Sequence, residues 1–138
     1  MLNNTKELTL FDEFDFIEKI ETLMSGYESA EVEFKSAKGG FPRSLWETYS
    51  AFANTQGGVI VLGVKEKDNR YTLDNLSLEQ VCKYKKEFWD NVNNKSHCSA
   101  NILRDEDVQY GEYNGSYVLV FNVPRAPRNK IPVYLHNN

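Results

Sequence analysis

An α+β sandwich, with a sheet of mixed direction and its two inter-strand helices on one face, is the architecture that three features of this chain predict. The first is the stretch 50–63, SAFANTQGGVIVLG, which runs from a helix end through paired glycines into a strand. Leu45, Tyr49 and Phe52 recur at helical spacing, Gly57 and Gly58 allow the positive φ that stops a helix, and residues 59–62 are all apolar. A strand apolar on consecutive positions is covered on both faces, so this unit forms the core. The second feature is the order of elements, in which a helical stretch lies between each of the first three strands; such spacing suits crossover connections. The third is Asn114-Gly115, a two-residue hairpin signal between an alternating stretch and an apolar one.

Each element has its own local cause. Residues 15–24 place Phe16, Ile17, Ile20, Leu23 and Met24 on one helical face, with Asp12, Glu13 and Asp15 near the positive end of the helix dipole. Ser25 and Gly26 end that helix. Residues 30–35 alternate, Val32 and Phe34 against Glu31, Glu33 and Lys35, which predicts a strand with one charged face. The loop 36–42, with Gly39, Gly40 and Pro42, precedes a helix expected over 43–55. After the central strand, residues 65–69 read as a polar turn and 70–73 as a short extended return. Ser77 and Gln80 form a capping box for a helix that carries Leu78, Val81, Phe88, Trp89 and Val92 to about residue 93. Val108 and Tyr110, the Asn-Gly turn and the strand 117–123 complete the hairpin; Pro124 and Pro127 close it, and residues 131–135 are expected to add an edge strand.

Length and composition narrow the functional classes. The 138 residues, 41% of them hydrophobic, suit one domain, read as a helical extension over 1–26 and the domain proper over 27–138. No apolar run approaches the roughly 20 residues that cross a bilayer, and the N-terminus lacks a signal-peptide pattern. A soluble, cytoplasmic protein with no membrane partner is expected. Cys82 and Cys98 lie outside any CxxC or zinc spacing, which predicts ordinary thiols. His97 and His136 have no nucleophile or carboxylate at a recognisable spacing, and GGFPRS at 39–44 is not a GxxxxGK[ST] phosphate loop. A formal charge of −4 speaks against coating nucleic acid by bulk electrostatics, leaving local basic patches. These are Lys35, Lys38 and Arg43; Lys83, Lys85 and Lys86; and Arg125, Arg128 and Lys130. The bland reading of each is a solvated face.

The residues ESAEVEFK at 28–35, the loop with Pro42, AFANTQGG followed by VIVLGV, and the distal VFNVP and PVYL together resemble the Schlafen-type AlbA_2 domain, a DNA-binding family also grouped with divergent ATPases. The resemblance covers residues 27–135. It implies an Alba-like βαβαββ core and a homodimer, and it implies that the chain is the N-terminal part of a larger regulator. It also implies nucleic-acid binding, to DNA ahead of RNA, with no cofactor needed. Phosphate contacts would then come from Lys35, Lys38, Arg43, Arg125 and Arg128, backbone N–H groups from Gly57 and Gly58, and neutral hydrogen bonds from Asn54 and Thr55. The alternative for Asn54, Thr55 and the glycines is a helix cap and a chain reversal.

Some Schlafen members resemble metal-dependent nucleases, and their acidic positions match Glu28, Glu33 and Glu66 here. Carboxylates at those places would hold Mg²⁺ or Mn²⁺ for phosphodiester hydrolysis, with Lys35, on the same side of its strand as Glu33, as the stabilising cation. Asp68 competes with Glu66 for the third position. A further alternative is a protein-interaction module built on Tyr110, Tyr113, Tyr117 and Tyr134, against sheet packing as the simpler role.

Overall fold

A computed structural model describes residues 10–26 and 31–136. In chain order the elements are α1 (Leu10–Ser25), β1 (Val32–Lys35), α2 (Ser44–Ala53), β2 (Gly58–Leu62), β3 (Val64–Lys67), β4 (Arg70–Leu73), α3 (Leu78–Val92), β5 (Val108–Tyr113) and β6 (Ser116–Val123). The main sheet has the order β1-β2-β6-β5, with β1 parallel to β2 and the other neighbours antiparallel. The mixed direction expected from the element order is present, because α2 is the crossover between two parallel strands.

Alternation along the central strands divides the core in two. Ile60, Leu62, Leu119 and Phe121 point to one face, where they meet Leu45 and Tyr49 of α2 and Val81 and Phe88 of α3. Val59, Val61, Val118 and Val120 point to the other, where they meet Ile20 and Leu23 of α1. The unbroken apolar run of β2 follows directly: all five of its residues are buried because helices cover both of its sides. The leading helix is therefore a second layer of the core. Gly111 of β5 makes room for it, since a Cβ there would stand 2.6 Å from the Phe16 ring.

Two expectations are corrected. Residues 64–67 form a strand where a turn was expected, pairing antiparallel with β4 so that only Asp68 and Asn69, at φ 54° and 62°, turn the chain. Its polar composition hid the alternation of Lys65 and Lys67 with Val64 and Glu66. Residues 131–135 add no strand to either sheet; the segment is joined instead through an isolated bridge between Leu135 and Cys98. Residues 27–30, which include Ala30 at the expected start of the first strand, lie outside the described residues. Among the described residues no helix is long and apolar enough to cross a membrane.

Candidate functional site

A basic cleft forms where β1 and β2 end and the β3–β4 hairpin begins. Gly63, at φ 112°, is the pivot: its N–H donates to the Lys35 carbonyl at 2.8 Å, and its own carbonyl accepts from the Asp74 N–H at 3.0 Å. Both legs of the hairpin are thus tied to the end of β1. The register pairs Val64 with Leu73 and Glu66 with Tyr71 on one face, and Lys65 with Thr72 and Lys67 with Arg70 on the other. Tyr71 packs its ring on Phe34 at 4.7 Å, so the first face is turned inward. The second presents three cations to solvent.

Opposite the hairpin stands the loop between β1 and α2. The buried Asp74 holds it, accepting from the Ser36 hydroxyl at 2.9 Å and from the Ala37 N–H at 2.6 Å. The Tyr84 hydroxyl donates to the Ala37 carbonyl at 3.1 Å, and a turn from Ala37 to Gly40 then carries Lys38 outward. Between loop and hairpin lies a cleft of about 400 Å³ lined by Ser36, Lys38, Lys65, Lys67, Thr72, Leu73 and Asp74. The ion pairs among the described residues are Lys86–Asp90 and those of Arg104 with Glu106 and Asp107, so the three cleft lysines are not neutralised by a bonded carboxylate. Such a site attracts anions.

The structure divides the residues named from sequence. Lys38 lines the cleft; Lys35, on the other side of β1 from Phe34, reaches the Ser44 hydroxyl at 3.2 Å, and Arg43 is exposed just before α2. Arg125 and Arg128 are exposed too, but beside the Gly57 turn, where the Ala126 N–H donates to Ala53. That is the opposite end of β2, so the two basic groups do not share a surface. Asn54 is committed elsewhere: its amide donates to the Val133 carbonyl at 2.8 Å and its oxygen accepts from the Val133 N–H at 2.7 Å. Thr55 donates to the Ala51 carbonyl, and Gly57 donates to the Phe52 carbonyl. Gly57 and Gly58 are buried, and a Cβ on either would collide, with the Val123 carbonyl at 2.7 Å or the Phe52 ring at 2.6 Å. The geometry matches the cap-and-reversal alternative for this stretch.

The acidic set is also divided. Glu33 points to the α2 side of β1, with Lys35, whereas Glu66 lies on the inward hairpin face and takes a hydrogen bond from Tyr71. Burial first, then the Glu66 charge and that bond, raise the Tyr71 hydroxyl above its ordinary value. Glu28 lies outside the described residues, and among those described no three His, Cys, Asp or Glu side chains gather as a metal site. Glu33 and Glu66 as placed do not fit a shared ion. The four tyrosines do not form one face either: Tyr113 is buried against α1, Tyr117 packs against the core on the α2–α3 side, Tyr110 sits under Lys85, and Tyr134 meets His136 edge to face.

A family model described as Schlafen, AlbA_2 matches residues 28–138. The chain belongs to the Schlafen AlbA_2 family. Among solved structures, this AlbA_2 chain is similar to the N-terminal domain of an ATP-dependent DNA helicase RecG-related protein from Nitrosomonas europaea, with 25% identity and a TM-score of 0.67 over 88% of this chain and 80% of that one. The DIP2311 protein from Corynebacterium diphtheriae is more distant, at 16% identity and a TM-score of 0.48 over 87% of this chain and 23% of that one. No curated protein matches.

Sequence reading of this AlbA_2 domain missed Lys65, Lys67, Arg70 and Thr72. Their signal is the period-two pattern of VKEK and RYTL around Asp68-Asn69, a short hairpin whose two faces differ in charge.

Proposed function

We propose that this AlbA_2 domain binds nucleic acid, DNA in preference to RNA, through the basic end of the molecule formed by the β1–α2 loop and the β3–β4 hairpin. One observation carries the reading: Lys38, Lys65 and Lys67 line one cleft and have no bonded carboxylate among the described residues, although the chain as a whole is acidic. A local concentration of cations is what phosphate binding requires, and net charge does not oppose it at short range, because exposed charges beyond a Debye length are screened. The similarity to a domain of a DNA helicase RecG-related protein supports DNA as the first ligand to test. Binding of this kind needs no cofactor.

Fluorescence anisotropy with short DNA and RNA strands and duplexes, at low and moderate salt and with Mn²⁺ or EDTA, tests the proposal. Salt-sensitive binding with intact strands, strongest for DNA, is the expected result. Absence of binding to every strand would move the domain to the protein-interaction class. Metal-dependent shortening of the probe that is lost in Glu33→Ala would establish a nuclease instead.

A further inference from the structure

Resting on that reading, we infer that the ligand of the cleft is a single strand, held by its sugar-phosphate backbone between the β1–α2 loop and the hairpin, with its bases unread. The cleft has two walls, and both carry cations: Lys38 on the loop, Lys65 and Lys67 on the hairpin. A duplex offers a convex surface to one side only, whereas one chain lying between two walls is neutralised from both. The volume of about 400 Å³ is that of a small-ligand pocket, room for a short piece of one backbone and not for a helix with two.

The lining decides what is recognised. It contains no aromatic ring, so the stacking platform on which single-strand binders hold bases is missing from this cleft. Lysine ammonium groups and the Thr72 hydroxyl are donors suited to phosphate and sugar oxygens, and such contacts carry no sequence information. Lys65 and Lys67, two apart on one strand face, stand about 6.7 Å apart along the backbone, which lets each meet a different phosphate. At the base, the Asp74 carboxylate is held by Ser36 and Ala37, and its negative charge keeps phosphates at the level of the lysines. Leu73 is left for the apolar side of a sugar.

The test is anisotropy on the full chain with three DNA probes of equal length: oligothymidylate, an abasic strand and a duplex. The expected order is oligothymidylate and abasic strand alike, both tighter than duplex. In Lys65→Gln/Lys67→Gln the slope of log affinity against log salt for the single strand should fall by about 1.4, two cations at about 0.7 each. Lys65→Arg/Lys67→Arg should restore it, and Arg125→Gln/Arg128→Gln, at the far end of the sheet, should leave it unchanged. Tighter duplex binding or loss of the abasic strand overturns this inference while leaving nucleic-acid binding at the cleft intact; an unchanged slope in the glutamine variant removes the cleft as the binding site and overturns both. Failure to bind any probe overturns both.

Discussion

Asn54 ties the end of α2 to the segment around Val133. Within the motif AFANTQGG it could serve a ligand or a cap, and only the fold shows that its amide closes two hydrogen bonds on the backbone of Val133, 79 positions away. Asn54→Ala leaves the buried Val133 N–H unpaired, while the Val133 carbonyl still accepts from the Ser50 hydroxyl at 2.7 Å; a loss of about 1–3 kcal/mol is expected in urea denaturation, with binding to single strands unchanged once folded. Tyr49 shows the same dependence on distant partners. It is fully buried, its hydroxyl donates to the Ala100 carbonyl at 2.9 Å and accepts from the Ile102 N–H at 3.3 Å. Burial, then the neighbouring Cys98, raise its pKa far above the ordinary 10.0. The folded state thus keeps a proton that the unfolded state gives up. Stability is full below pH 10 and declines as the pH climbs above it toward the raised value. Denaturation midpoints measured from pH 8 upward should fall above about pH 10, and Tyr49→Phe should flatten that part of the decline attributable to tyrosine. The Cys98 thiol, also raised by burial, contributes a similar alkaline loss that the variant retains.

At the scale of elements, the helix cap and the Asn-Gly turn form as their local sequence predicts. The capping box of α3 is complete, Ser77 accepting from the Gln80 N–H at 3.1 Å and the Gln80 side chain accepting from the Ser77 N–H at 2.9 Å. Ser77→Ala should cost about 1 kcal/mol in thermal or chemical unfolding and leave the salt slope of binding untouched, because Ser77 carries no charge and does not line the cleft. The Asn114-Gly115 hairpin likewise forms as its dipeptide requires, both residues at positive φ. The β3–β4 hairpin was hidden for a physical reason. Its polar strands are not core strands, and its turn, Asp68-Asn69, lacks the glycine that marks such turns. What stabilises it is the packing of Tyr71 on Phe34 and the anchoring of both legs at Gly63. Phe34 and the Lys35 carbonyl, on which these contacts depend, lie about 30 residues before the hairpin.

For the whole molecule, the decisive arrangement is a sheet covered on both sides. The leading helix reads from sequence as an extension and packs in the structure as a core layer, with Ile20 and Leu23 nearly inaccessible. Leu23→Ala should cost about 2–5 kcal/mol. The check is tryptophan fluorescence during denaturation, because Trp46 and Trp89 both sit on the opposite side of the sheet. A shifted tryptophan transition shows one cooperative unit, while an unchanged one would make α1 an independent appendage. Helical and strand periodicity, caps and the Asn-Gly turn are properties of contiguous residues, which is why the α+β order, the central strand and the family resemblance could be read directly. Which face α1 covers, that Arg125 and Arg128 end up at the far end of β2 from Lys38, and that Lys65 and Lys67 join Lys38 in one cleft are consequences of pairing between segments 20 to 100 residues apart. Local pattern carries no information about such pairings, because they are set by how the two faces of the sheet are filled.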